Sequence, residues 1–96
     1  MPATAMNHFT ILTDNVDETI KFYNEFLGLE SGERPPFEFP GAWLYAGNTA
    51  VLHVIGGRTL PESREGVIDH MAFSATGLIE TIKKLERHEI DYSLRQ

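Results

Sequence analysis

The side chains of this chain that are best suited to chemistry are histidines, and two of them occupy equivalent places in an internal repeat. Asn-His-Phe-Thr-Ile at residues 7–11 recurs as Asp-His-Met-Ala-Phe at residues 69–73, an offset of 62 residues. Neutral imidazole is a good ligand for divalent metal ions. A histidine at the same place in both copies, at His8 and His70, therefore predicts one shared metal site.

The elements that must position these histidines follow from the same repeat. Glu-Thr-Ile-Lys at residues 18–21 recurs at residues 80–83 with the same offset of 62, which is typical of a duplicated strand-then-helix unit. Asn15, followed three residues later by Glu18, predicts a capping box at the start of the first helix. Gly28 predicts its left-handed C-terminal cap.

The remaining strands of the first copy are predicted from alternation and turn chemistry. A strand over 7–13 precedes the helix, and a short strand follows it at 29–33. Residues 34–41 hold three of the five prolines, so they cannot form a regular element. A Gly-Asn turn joins strands at 42–46 and 49–55 as a hairpin. The first copy, residues 6–55, therefore has the order βαβββ.

The second copy is predicted to be shorter. Residues 56–66 are polar and rich in glycine and proline, so they are assigned as a linker. Residues 67–96 then give the order βαβ, with strands at 68–74 and 90–94 and a helix from Leu78 to about His88. Two strands fewer than in the first copy would leave an open sheet edge, which favours a homodimer or a higher homo-oligomer.

Composition excludes several classes of function. The chain has 96 residues, a net charge of −6 and no basic stripe, so neither nucleic acid nor an anionic membrane is an expected partner. It has no cysteine, which excludes thiolate sites and fits a reducing cytoplasm. The N-terminal residues lack the features of a signal peptide, and no apolar run is long enough to span a bilayer.

Two stretches of the sequence resemble a known superfamily. The opening strand with His8, followed by Phe-Tyr at residues 22–23 and Phe-Leu-Gly-Leu at residues 26–29, resembles the first module of the vicinal-oxygen-chelate superfamily. This superfamily includes glyoxalase I, fosfomycin and bleomycin resistance proteins, and extradiol dioxygenases. Residues 69–73 resemble the start of its second module. The resemblance implies an α+β fold of paired βαβββ modules whose sheets form a cup, here with the second module incomplete at its C-terminus.

The resemblance also implies a ligand set. Members take metal ligands from the first and last strands of each module, so His8 and His70 would be the first-strand ligands and His53 the last-strand ligand of module one. The fourth ligand, commonly glutamate, would fall near position 115, beyond the sequence. Such a set suits a divalent ion such as Fe, Mn, Ni or Zn.

An aromatic cluster lies between the predicted histidine-bearing strands. Its members are Phe37, Phe39, Trp43 and Tyr45. They can form an apolar wall for a small substrate, or they can be core residues or part of a dimer contact. His88, late on the charged second helix, is expected to be solvent-exposed and without a function.

These observations predict a metal-dependent enzyme of the glyoxalase or extradiol-dioxygenase type, acting on a small oxygenated substrate chelated to the metal. One alternative is a metal-free protein that sequesters a ligand such as an antibiotic, as bleomycin resistance proteins do. Another is a truncated, inactive module that is stable only as an oligomer.

Overall fold

Residues 9–55 fold as the predicted βαβββ unit. The structure, a computed structural model, describes residues 1–95. Its elements are, in chain order, β1 (Phe9–Leu12), α1 (Val16–Leu27), β2 (Glu30–Ser31), β3 (Gly41–Ala46), β4 (Thr49–Ile55) and α2 (Leu78–Arg87). The five predicted elements of the first copy are therefore all present, with β2 shorter than expected.

The four strands form one sheet in the order β1-β4-β3-β2. β1 runs parallel to β4, while the β4–β3 and β3–β2 pairs are antiparallel. A parallel pair needs a crossover connection, and here α1 and the β2–β3 segment provide it. The first and last strands of the unit thus lie side by side.

Helix α1 begins and ends at the capping residues that the sequence predicts. The Asn15 side chain accepts a hydrogen bond from the Glu18 backbone N–H at 3.0 Å. Gly28 adopts a left-handed conformation with φ of 65°, and its N–H bonds to the carbonyl of Asn24 at 3.0 Å. The cost of a positive φ is low for glycine, so the chain can turn sharply from α1 into β2.

The core lies between α1 and one face of the sheet. Its buried members are Leu29, Ala42, Leu44, Leu52 and Val54. Val16, Ile20 and Tyr23 of α1 pack against them, together with Phe9 and Ile11 of β1. Because side chains alternate along a strand, Thr10, Trp43, Tyr45 and His53 point away from α1. The sheet face formed by these four residues is called the open face below.

The second copy departs from the prediction, which gave strands at 68–74 and 90–94. Neither stretch pairs with a neighbouring strand in the part of the chain that the structure describes. A strand depends on a neighbour for its backbone hydrogen bonds, and the described residues provide none. A helix satisfies its own backbone, so α2 forms as predicted. Phe73 still packs against Phe9, with ring centroids 5.9 Å apart.

Helix α2 is held to α1 by polar and aromatic contacts that the sequence did not predict. Lys84 Nζ donates to the Glu25 carbonyl at 3.1 Å. His88 Nε2 lies 3.6 Å from Glu25 Oε1, and its ring meets Phe26 edge-on at 5.3 Å. His88 is about half exposed, so it is a surface residue with a packing role. Neither helix in residues 1–95 is long and apolar enough to cross a membrane.

The N-terminal cap of α1 gives a first prediction. Asn15→Ala removes the acceptor for the Glu18 N–H, so we expect it to lower the free energy of unfolding by about 1 kcal/mol. Asn15→Asp, which keeps an acceptor at the same place, is the matched control. Urea denaturation followed by circular dichroism measures both, and equal stability of the two variants would contradict the capping role.

Candidate functional site

Two of the three predicted histidine ligands lie side by side on the open face. The rings of His8 and His53 are stacked, with centroids 3.7 Å apart and planes 13° from parallel. On its other side His53 stacks on Trp43 at 4.1 Å and 10°. His8, His53 and Trp43 thus form a continuous column of three flat rings, which is called the ring column below.

The register of the sheet explains the ring column. Thr10 on β1 and Trp43 on β3 are both paired with His53 on β4, so the three residues form one row across the open face. His8 lies two residues before Thr10, so it shares that side of the chain. The histidines meet because the parallel β1–β4 pair brings together residues 45 positions apart in the sequence.

Both histidines of the repeat are oriented by the residue before them. Asn7 Oδ1 lies 2.7 Å from His8 Nδ1, and Asp69 Oδ2 lies 2.7 Å from His70 Nδ1. Since these oxygens accept hydrogen bonds, the Nδ1–H of each ring donates. Nε2 of His8 is then the atom available to a metal, and the partner on Nδ1 fixes the ring. These two hydrogen bonds were not predicted from the sequence, although Asn7 and Asp69 occupy equivalent positions in the repeat.

His53 is held in the form that binds metals. Partial burial lowers its pKa below the ordinary histidine value, and the neighbouring His8 lowers it further, although a backbone hydrogen bond at Ala50 opposes the shift. The neutral imidazole therefore dominates at pH 7. Neutral imidazole is the form that offers a lone pair to a divalent ion.

His70 does not join the other two histidines. Its side chain is 78% exposed and pairs with Asp69. Within residues 1–95, no three His, Asp or Glu side chains converge as a group able to hold a metal ion. The donor set at the ring column thus consists of two imidazoles with stacked faces, which is fewer ligands than a closed structural metal site requires.

Three of the four predicted aromatic residues line one cleft with His53. Phe37 and Phe39 are stacked at 5.0 Å, and Phe37 lies 6.4 Å from Trp43. The cleft has a volume of about 130 Å³. Its other lining residues are Thr10, Arg34, Val54 and Ile55. The prediction of an aromatic wall at this face is therefore consistent with the geometry.

Tyr45 lies outside this cleft. Its hydroxyl donates to the Glu33 carbonyl at 2.6 Å, and its ring occupies the space in which a side chain at position 32 would stand. With Trp43 it lines an adjacent recess that also contains Glu33, Arg34 and Pro35. Tyr45 thus ties β3 to the chain that follows β2.

Arg34 was not predicted as a site residue, although it lines both the cleft and the recess. Its guanidinium carbon lies 5.0 Å from the Phe37 ring centroid and 5.1 Å from that of Phe39. Nη2 donates to the Phe39 carbonyl at 2.9 Å. The sequence feature that could have indicated Arg34 is its position as the first residue of a loop rich in prolines and aromatic residues.

The sequence matches a known family over most of its length. The family model of the Glyoxalase/Bleomycin resistance protein/Dioxygenase superfamily matches residues 5–93. The chain belongs to this superfamily, which confirms the resemblance seen in the sequence. A protein of Arabidopsis thaliana named Glyoxylase I 4 is 33% identical over an alignment of 95 residues, and the match covers 93% of this chain and 54% of that protein. The chain thus spans about half the length of this relative.

Solved structures confirm the fold. The trypanothione-dependent glyoxalase I of Leishmania major is similar with a TM-score of 0.71 and 22% identity, over 97% of this chain and 73% of that one. A variant of the fosfomycin resistance protein FosX from Listeria monocytogenes, complexed with Mn(II) and 1S,2S-dihydroxypropylphosphonic acid, is similar with a TM-score of 0.69 and 14% identity. The alignment covers 99% of this chain and 77% of FosX.

The two stacked histidines give a prediction about protonation. In an NMR titration we expect a lower pKa for His53 than for an ordinary histidine, and His8→Ala should raise it because the neighbouring positive charge is removed. The lowered pKa also makes stability depend on pH. The contribution of His53 to stability is complete above about pH 6.5, the pKa of an unfolded histidine, and it is lost as the pH falls from there through the lower pKa of the folded state. An unchanged His53 pKa in His8→Ala would contradict the coupling.

Proposed function

We propose that this chain provides part of the active site of a metal-dependent enzyme, which acts on a small oxygenated substrate chelated to a divalent ion. The observation that carries the proposal is the contact between His8, which immediately precedes β1, and His53 on the adjacent parallel strand β4, with ring centroids 3.7 Å apart. Two imidazoles on an exposed face can hold a metal and leave positions open for a substrate.

The named relatives support a metal-dependent reaction. The similar FosX structure contains Mn(II) and a dihydroxylated phosphonic acid, and two similar proteins are named as glyoxalases. A bound divalent ion would supply Lewis-acid polarisation of the chelated oxygens. The similarity to the plant relative favours a glyoxalase-type reaction, while the aromatic cleft is what favours an extradiol-dioxygenase type.

The residues present have distinct parts in this proposal. His8 and His53 would hold the ion, and Asn7 would keep His8 turned with Nε2 toward it. His70 stays a candidate third ligand, which requires residues 69–73 to approach the open face. Trp43 with Phe37 would bind the apolar part of the substrate and exclude water. Further ligands, including a carboxylate, would come from outside the described residues or from a second copy of the chain.

A second copy is the partner that we propose for the open sheet. The open face and the edges of β1 and β2 are left unpaired by residues 1–95, and unpaired edges favour association. We propose a homodimer in which the ring columns of two copies contribute to shared sites. Sedimentation of the purified chain tests it, with a dimer expected and a monomer at all concentrations against it.

Metal content and turnover together test the proposed function. The purified chain is reconstituted with Mn, Fe, Ni or Zn, desalted, and analysed for metal and intact mass. Each form is then assayed with a hemithioacetal and with a catechol. The proposal predicts retained metal and turnover of one substrate class that EDTA abolishes. Failure to retain any metal would contradict it.

A metal-free binding protein is the second candidate, and the donor set favours it. Within residues 1–95 only two imidazoles meet at the site. In that case the cleft would hold an aromatic ligand without chemistry. A change in Trp43 fluorescence on adding ligand to a chain that retains no metal would support this function over the first.

A further inference from the structure

Arg34 is a cation in the open-face cleft, and no acidic side chain among residues 1–95 forms an ion pair with it. It is partly buried, and its recorded hydrogen bond is from Nη2 to the Phe39 carbonyl. Guanidinium has five N–H donors, so most of its donor capacity is unused by that bond. Neither of the ion pairs found among residues 1–95 involves Arg34.

Arg34 shares the lack of a carboxylate partner with the other lysines and arginines among residues 1–95, and it differs from them in lining the open-face cleft. The protein has 14 acidic and 8 basic residues, and Glu33 and Glu38 lie within four positions of Arg34 in the sequence. Neither forms an ion pair with it within the described residues. The guanidinium donors that Arg34 leaves unused therefore face a cleft in which an anionic ligand can accept them.

The guanidinium is held in place from two sides. It lies over the faces of Phe37 and Phe39, at 5.0 and 5.1 Å from their centroids. Gly41 leaves it space on the strand side, because a Cβ at that position would lie 3.0 Å from Arg34 Nη2. A guanidinium held rigidly presents its planar fork at a low entropic cost.

The surroundings of Arg34 are flat and apolar. It lines the same cleft as Trp43 and His53, and it therefore lies near the end of the ring column that is opposite His8. Flat aromatic faces favour stacked, planar ligands, and the guanidinium fork favours a bidentate oxyanion. A ligand that reaches both features has a planar body and a carboxylate.

We propose that Arg34 is the specificity-determining residue of this site and selects substrates that carry a carboxylate on an aromatic or conjugated body. The inference rests on the proposed function insofar as the cleft is the substrate site of the enzyme. The carboxylate binds the Arg34 fork, the planar body stacks beside Trp43, and the chelating oxygens point toward His53 and His8.

In the alternative, Arg34 has no ligand and only stabilises its own loop through the hydrogen bond to the Phe39 carbonyl. The two readings differ in one measurable property, which is the preference for a charged ligand over a neutral one of the same shape. If Arg34 only stabilises its loop, replacing it should weaken the binding of benzoate and of benzamide equally. If Arg34 binds the carboxylate, replacing it should weaken the binding of benzoate alone.

The test uses the purified protein with and without EDTA, and follows the fluorescence of Trp43, the single tryptophan. Benzoate and benzamide are the probes. Wild-type protein should bind benzoate more tightly than benzamide. Arg34→Gln should weaken benzoate binding by roughly tenfold to hundredfold, the range of charge-assisted hydrogen bonds, and leave benzamide binding unchanged. Arg34→Lys, which keeps the charge without the fork, should fall between.

Arg58→Gln is the matched control, because Arg58 is exposed in the segment after β4 and the substitution changes the net charge equally. It should bind both probes as wild type does. Equal affinity of wild-type protein for the two probes overturns the proposal even if an Arg34 variant fails to fold. So does an equal loss of benzoate binding in Arg58→Gln. Because benzoate binding is measured in EDTA as well, failure of the metal site is observed separately.

Discussion

Replacing His8 with alanine is expected to abolish stoichiometric binding of Mn(II) or Ni(II) while leaving the fold intact. His8 is exposed, so its removal creates no cavity. It is one of two imidazoles that meet at the open face, and its loss leaves His53 as a single donor. Loss of a partner that only orients a ligand costs about 10- to 100-fold in affinity, so loss of a ligand itself should cost at least as much. Isothermal titration measures the change.

His88→Ala is the control for this variant. It also removes an exposed imidazole, but one that contacts Glu25 and Phe26 on the outer side of α1. Metal affinity should therefore be that of wild type, and only a small loss of stability is expected. Equal metal binding by His8→Ala and wild type would show that the ring column is not the site. His70→Ala tests separately whether the second histidine of the repeat is a ligand.

Leu52→Ala is expected to have the largest effect on stability. Leu52 is fully buried at the centre of the sheet, where it is paired with the equally buried Leu44. Truncation of such a leucine typically costs about 2–5 kcal/mol in the free energy of unfolding. Native domains have only about 5–15 kcal/mol in total. With only five buried hydrophobic residues in the described part of the chain, of which Leu52 is one, little remains to compensate.

Ile79→Ala is the matched control for the core variant. Ile79 is 62% exposed on α2 and lies outside the core cluster, so its truncation should change stability by less than about 0.5 kcal/mol. Urea denaturation of both variants and wild type gives the comparison. Similar losses from Ile79→Ala and Leu52→Ala would contradict the position assigned to the core.

The first copy could be predicted because its signals are local. The Asn15 cap, the Gly28 terminator and the turn at Gly47, where φ is 61°, each depend on residues only a few positions apart. Strand alternation likewise separates Leu52 and His53 onto opposite faces of β4. These features follow from backbone geometry and hydrogen bonding within short segments.

The site was only partly predictable because its contacts are distant in sequence. The repeat singled out His8 and His70, but β-sheet register decides which histidine meets His8, and that histidine is His53. The strand predicted at 68–74 also depends on distant partners, and local alternation does not indicate whether they are present. Arg34 was missed because its significance comes from what surrounds its guanidinium.

Pulsed electron paramagnetic resonance of the Mn(II)-loaded protein detects nitrogen atoms bound to the metal, so it shows whether His8 and His53 are ligands. We expect the coupling of directly coordinated imidazole nitrogen in wild-type protein, reduced in His53→Ala and in His8→Ala, and unchanged in His88→Ala. Mn(II) that shows no imidazole nitrogen coupling, or the same coupling in all four proteins, would contradict a metal site at the ring column.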